Sequence, residues 1–505
     1  MKKNKSLLGK INLLRLMEYT LLFSTVTSLA IYLWIAYYRL QYPFELEWIE
    51  GGVVDQVQRI VHGGSIYVAP GINFVPFLYP PLYFYLSAAA SLIFGGGFFP
   101  LRLVSFVASL VTFASIFLIV RATTKNGWAA LLALGLFAST FRVTGAWLDI
   151  ARVDSLFLAL WLLFVYMVIS KEKSLFHAIL AGGLAALAFL TKQTALILCL
   201  PILAYFVWRN WKYALSLIVT FALIVGITTL IFNLASGGWY TYYVFDLLSQ
   251  QTEWIPSAFI SFWTTDLLSH LPLAILFAAF FLIGRPDQNR QTLLQWFLIL
   301  LGALAGAFLT RVKLGGYDNV LLPAYAAIAI LFGLGLHELL KITDQFQPDY
   351  KTRAKVLIHL ACLSQLVILF YNPYAQIPTD ADRKAGNQLV QLIAGVKGDV
   401  FLVDHGYIST LAGKKTYAQH SAIWDILRGN QQTPGRTLLE EDLTNAIRHQ
   451  AFDMIILDSD WNYCCKEIDK YYSKTGVVFQ DETVFYPVTG GEKRPTYIYV
   501  PKKLK

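Results

Sequence analysis

The chain has 505 residues, of which 56% are hydrophobic and only 14% charged, against about 25% charged in ordinary soluble domains. A water-soluble protein is excluded for most of its length. The net charge of +9 does not mark a nucleic-acid partner, because the basic residues fall mostly in short loops between apolar runs, as they do when positive loops stay inside a membrane.

The opening "MKKNKSLLGK" and Arg15 place the N-terminus in the cytoplasm. The first apolar run, 16–38, lacks a small-residue cleavage site and reads as a retained anchor. Basic loops follow at "RATTKNG" (121–127), "KEKS" (171–174), "RNWK" (209–212), "RPDQNR" (285–290) and "HELLKITDQFQPDYKTRAK" (337–355). Two spans must separate each from the next. Runs 128–147 and 155–170, 175–190 and 194–208, 213–234 and 260–284, 291–309 and 320–337 supply them. With 101–120 and 356–372 the expectation is a polytopic α-helical membrane protein of about eleven spans.

That count leaves "YPPLYFYLSAAASLIFGGG" (79–97) out of the bilayer core. Residues 80–97 read as a juxtamembrane helix in a long external loop, 39–100, with the proline pair at its start. Past residue 373 the chain turns polar. "DVFLVDHG", "FDMIILDSD", "ETVFYPV" and "TYIYVPK" have strand character, and "LLEEDLTNAIRHQA" has helical spacing. The expectation is a membrane domain over 1–372 and an extracytoplasmic α/β domain over 373–505, in a plasma (inner) membrane protein. The four cysteines show no zinc-type spacing.

This threading strands charges at external span ends: Arg59, Arg152, Lys192, Arg311 and Lys313, facing Glu45, Glu47, Glu50, Asp55, Asp149, Asp154, Asp266 and His270. Charge at membrane depth is expensive and usually marks a site. Basic residues gathered on a carboxylate-rich face imply an anionic ligand.

The external loop, "EWIEGGVVDQVQRIVHGGSIY" followed by "FLYPPLYFYLSAAASLIFG", resembles the opening of the GT-C glycosyltransferases, in particular the lipid-linked-sugar-dependent mannosyl- and aminoarabinosyl-transferases of family 39. "LDIARVDSLFLAL", "GGLAALAFLTKQTALILCLP" and "KLGGYDNVLLPAYAAIAILFG" are similar to later segments of that family, in the same order. Two positions depart. Ile49 and Glu50 stand where the family commonly has Asp-Glu, and Tyr79 stands where a Lys often precedes the proline pair.

The resemblance implies a sugar moved from a polyprenyl-phosphate donor, in the lipid bilayer, to a glycan, lipid or protein hydroxyl. A lipid phosphate leaves as a stable anion, so it needs cations. Arg59, Arg152, Lys192, Arg311 and Lys313, with Tyr79 and Tyr317, form the expected substrate-binding set. The acceptor hydroxyl needs a base. Glu50 is the first expectation and Glu47 the second, with Asp154 orienting base or acceptor. No cofactor is required, although Asp266 and His270, four apart, could share a divalent metal. A secondary transporter or flippase of an anionic or lipid-linked substrate is the alternative. It would bring internal repeats and helices broken near the midplane, which the sequence does not display.

Overall fold

Long apolar helices account for the first three-quarters of the chain. The structure, a computed structural model, describes residues 2–251, 253–284, 288–428, 432–459 and 464–503. Helix α1 (Lys2–Leu40) runs unbroken because no proline interrupts it before Pro43. The loop that follows holds α2 (Glu50–Val61) and α3 (Leu82–Phe94). Pro81 stands immediately before α3, and Gly95, at φ +88°, ends it in a conformation that a side chain would strain.

The longer helices that follow, up to residue 368, are α4 (Phe98–Thr124), α5 (Gly127–Ser139), α6 (Asp154–Ile169), α7 (Leu175–Thr191), α8 (Ala195–Arg209), α9 (Trp211–Ala235), α10 (Pro272–Ile283), α11 (Arg290–Arg311), α12 (Leu322–Thr343) and α13 (Pro348–Ile368). Asn126, Ser174, Asn210 and Asn289 cap α5, α7, α9 and α11 by accepting first-turn N–H groups. Helix α12 is buried along nearly all of its length and forms the centre of the bundle.

Among the described residues, five helices are long and apolar enough to cross a membrane, or up to seven if each of two bent pairs counts as one span. Helices α5 to α8 are apolar but shorter. The run expected as a span over 128–147 is helical only to Ser139. Residues 140–153 are irregular yet mostly buried, and side chains take up part of their backbone: Arg39 Nη1 donates to the Ala146 carbonyl at 2.9 Å and Ser155 Oγ to the Leu148 carbonyl at 2.7 Å.

The C-terminal region forms a four-stranded sheet of order β1-β2-β4-β3: β1 (Val400–Leu402), β2 (Met454–Leu457), β3 (Tyr472–Val477) and β4 (Tyr497–Pro501). Strands β1 and β2 pair in parallel, and the other neighbours pair antiparallel. Helices α14 (Asp380–Ala394), α15 (His420–Leu427) and α16 (Pro434–Arg448) accompany it. "ETVFYPV" is a loop rather than a strand. Phe485 sits at φ +64° with its N–H on Asp382, and its ring packs edge-on against Phe44 of the first loop.

This region is seated on the loop between α1 and α3. A Cβ on Gly51 would stand 2.2 Å from the Tyr407 ring, and one on Gly52 would stand 2.7 Å from Phe77. The paired glycines of "EGG" thus let α2 touch its neighbours through bare backbone.

Candidate active site

Helices α6 and α12 begin, and α7 and α11 end, at the same end of the bundle. Their termini meet a cavity of about 570 Å³. Arg152, Lys192, Lys313, Tyr79 and Tyr317 line one side. A strap between α9 and α10 supplies Gln251 and Trp254. It is tied down by Ile255 N–H to the Val312 carbonyl at 2.7 Å and Leu314 N–H to the Glu253 carbonyl at 3.0 Å. Helix α15 covers the opposite wall with His420, Trp424, Asp425 and Arg428, and Lys493 completes it.

Behind this wall lie buried ion pairs. Arg39 pairs with Asp149 at 2.8 Å and Arg102 with Glu50 at 2.7 Å, all fully buried. Arg152 Nη1 donates to both oxygens of Glu47, at 3.0 and 2.8 Å, and its Nη2 donates to Tyr79 Oη at 3.2 Å. Lys192 Nζ donates to Asp154 Oδ1 at 2.6 Å, and Asn319 donates to the same oxygen at 2.9 Å. Arg152 and Lys192 are therefore cations anchored from behind by carboxylates, with their open sides toward the cavity. Arg152 Nε is buried with no hydrogen-bond partner among the described residues.

Glu50, the first expectation for the base, is not placed to take a proton. Its Oε1 accepts from Arg102 Nε at 2.9 Å and from the Ala151 N–H, and its Oε2 from Arg102 Nη2 at 2.7 Å and the Leu46 N–H at 2.6 Å. A carboxylate holding four donors knits loop, α4 and the 140–153 segment together. Glu47 lies one residue behind the cavity-lining Trp48, and burial lifts its carboxyl to about 7 against the pull of Arg152.

Other expectations also move. Arg59 turns away, donating from Nε to the Ser65 carbonyl at 2.6 Å and stacking on Phe74, 4.5 Å from the ring centroid. Arg311 is occupied by both oxygens of Asp266, at 2.8 and 3.0 Å, and by Asp318 at 3.1 Å. Both oxygens of Asp266 are thus engaged by Arg311. His270 Nδ1 faces the Asp266 carbonyl and Tyr325 Oη instead. No group of three or more metal-type ligands is found among the described residues.

The seat of the C-terminal region carries its own proton-binding cluster. His405 bonds Glu45 through Nδ1 and Asp458 through Nε2, the latter at 3.1 Å. Burial lifts Glu45 to about 7 with His405 opposing, and burial likewise raises Asp458. Burial alone would lower His405, but Asp458 and Glu45 overcome it and hold it well above the usual range. Asp404 is held low by His420 against its burial, so it stays ionised above pH 5 and adds no slope there.

Every raised group binds protons more tightly when seated than when unfolded. Its stabilisation is full below the unfolded pKa and is lost as pH rises through the folded one. Thermal unfolding should therefore give a melting temperature that falls from about pH 5 to about pH 8, with Glu45→Gln flattening the slope, because it removes one raised carboxyl and part of what raises His405. A wild-type profile rising over that window would contradict this seat.

Three comparisons bear on the architecture. The dolichyl-phosphate-mannose-protein mannosyltransferase family matches residues 79–239. No curated protein matches the chain. Among solved structures, ArnT from Cupriavidus metallidurans bound to undecaprenyl phosphate is 14% identical, with a TM-score of 0.62 over 94% of this chain and 97% of that one. The archaeal oligosaccharyltransferase AglB from Archaeoglobus fulgidus, in complex with an inhibitory peptide and a dolichol-phosphate, is 13% identical, with a TM-score of 0.53 over 89% of this chain and 72% of that one.

The chain has the GT-C glycosyltransferase fold. It is a multi-pass helical membrane protein. Within this GT-C frame, residues 79–239 carry Tyr79, Arg152, Asp154 and Lys192. Lys313 and Tyr317 arrive from the far end of α11, where Tyr317 Oη donates to the Gly490 carbonyl at 3.0 Å. The sequence reading missed two groups. One is the structural pair of arginines, Arg39 and Arg102. The other is the α15 face, which no motif marks.

Proposed function

We propose that the protein transfers a sugar from a polyprenyl-phosphate donor to an acceptor hydroxyl at the outer face of the membrane. The observation that carries this reading is the convergence of Arg152, Lys192 and Lys313 on one cavity at the helix ends of a GT-C fold. The similar ArnT and AglB structures hold undecaprenyl phosphate and dolichol-phosphate respectively, the anion class such a cluster suits.

When the sugar's C1–O bond breaks, both electrons stay with the lipid phosphate. Cations held in fixed positions favour that separation more than they favour the bound ground state. Glu47 and Asp154 serve here by aiming Arg152 and Lys192. Arg152, Lys192 and Lys313 supply the positive charge that a phosphodiester needs, and no resident metal is required. The sugar is a hexose or pentose, and the acceptor is a glycan, lipid or protein hydroxyl. About eleven passes, with residues 373–505 outside the plasma membrane, follow from the basic loops. The position of these cations at the helix ends favours transfer over the transporter reading, which would place its site near the midplane.

Lys192→Met should raise the Kd for a polyprenyl-phosphate sugar by about 10–100-fold, the worth of one charge-assisted contact. The single variant leaves Asp154 short of a cation, so Lys192→Met with Asp154→Asn keeps the site neutral. The double variant should recover thermal stability and keep the binding loss, read by titration with labelled donor. Wild-type affinity in both would remove Lys192 from the phosphate site.

A further inference from the structure

The acceptor hydroxyl must lose a proton in this cavity, yet the carboxylates of the first loop and of α6 are committed elsewhere. Glu50 holds four donors, Glu47 places both oxygens on Arg152, and Asp154 Oδ1 holds Lys192 and Asn319, while its Oδ2, buried without a hydrogen-bond partner among the described residues, does not line the cavity. A proton acceptor has to come from another wall.

Helix α15 provides one. His420, Ser421, Trp424, Asp425 and Arg428 fall on one helical face and all line the cavity. Asp425 is the sole carboxylate lining it among the described residues. Its Oδ1 is anchored by Arg428 Nη2 at 3.1 Å, from the residue that caps the same helix, and by Gln251 Nε2 at 3.3 Å, from the strap between α9 and α10. Its Oδ2 has no hydrogen-bond partner among the described residues. One oxygen is fixed and the other is open. Trp424, with Arg428 stacked 4.3 Å from its ring centroid, and Trp254 flank the place with aromatic faces suited to C–H surfaces of a sugar.

We propose that Asp425 is the general base of the transfer, so that the C-terminal domain supplies a catalytic residue. This rests on the glycosyl-transfer reading. The acceptor O–H gives its proton to Asp425 Oδ2. The oxygen's electron pair forms the bond to sugar C1 as the C1–O bond to phosphate breaks. The departing pair stays on the phosphate oxygen beside Arg152, Lys192 and Lys313, and Asp425 returns its proton to water.

The charge around Asp425 suits this role. Arg428 on its own helix and Arg152 from the facing segment favour the ionised form, and Lys192, Lys313, Lys493 and His420 line the same cavity. Burial lifts its carboxyl to about 6 against these cations. It is ionised at neutral pH and close enough to that pH to act efficiently.

The test is kcat/KM for sugar transfer against pH, with donor Kd measured in parallel, on full-length wild type, Asp425→Asn, Asp425→Glu, Glu47→Gln and His420→Gln. Wild type should lose rate as pH falls through about 6. Asp425→Asn should lower transfer by about 10²–10⁴-fold, abolish that acidic limb and keep donor affinity. Asp425→Glu should restore part of the rate with the limb displaced, and His420→Gln should keep the limb in place.

Asp425→Asn with a wild-type rate and limb overturns the proposal, as does transfer of the limb's loss to Glu47→Gln. If the Asn variant fails to bind donor, Asp425→Glu decides: an undisplaced limb at full rate overturns it. Wild type that releases lipid phosphate from no sugar donor overturns the glycosyl-transfer reading itself, an outcome visible before any variant is made.

Discussion

Replacing Glu50 by Gln should cost about 3–5 kcal/mol of stability, the usual effect of breaking a buried ion pair by removing one partner. The amide keeps the shape but turns two of the four acceptor contacts into donors facing donors, since each carboxylate oxygen accepts two. It also leaves the Arg102 guanidinium charged and fully buried. Arg102 additionally donates to the carbonyls of Arg39, Tyr42 and Phe44, so the loss spreads through the turn that delivers Glu47 and Trp48. Low yield and a lowered melting temperature should accompany any drop in activity. Glu50→Gln combined with Arg102→Met removes both charges and should recover part of the stability, as measured in a double-variant cycle. A Glu50→Gln protein with wild-type melting and a turnover collapse would mean that Glu50 does chemistry.

Arg152→Gln should behave in the opposite way, folding well and transferring poorly. Its guanidinium bridges Glu47 and Tyr79 and sits 5.5 Å over the Trp147 ring. The carboxyl it leaves behind is already lifted to about 7, so Glu47 can take up a proton rather than remain a buried bare charge. What disappears is the cation facing the departing phosphate. Removing one such preorganised group should lower kcat by about 10²–10³-fold. Arg152→Lys should rescue little, because an ammonium cannot span Glu47, Tyr79 and a phosphate together. Single-turnover kinetics would check this, and a kcat within twofold of wild type for Arg152→Gln would contradict it.

Much of the frame was legible in the sequence because each feature rests on a local cause. Apolar runs become helices, a proline pair starts α3 and glycines end it, and three of the five cations on the wrong side of the threading, Arg152, Lys192 and Lys313, line one cavity. Arg102, at the start of α4, falls under the same rule. The choice between Glu47 and Glu50 was not legible. Three residues separate them, yet one lies behind Trp48 and the other points into α4, which depends on how α2 packs. Asp425 was hidden for a related reason. Helix α15 is an ordinary amphipathic segment in sequence, and only its position over the helix ends gives one carboxylate a role. "ETVFYPV" misled because its alternation mimics a strand, while its contacts to Asp382 and Phe44 hold it as a loop.

The central claim, sugar transfer from a lipid phosphate, is tested most directly by stoichiometry. The purified full-length protein in lipid vesicles would be given a panel of polyprenyl-phosphate sugars with glycan, lipid and peptide acceptors. Lipid phosphate released and sugar attached would be measured in the same reaction. The account predicts, for at least one donor, one polyprenyl phosphate freed for each sugar joined to an acceptor hydroxyl, with both lost together in Arg152→Gln. Donors that bind and cross the vesicle membrane intact, with no phosphate released, would contradict it.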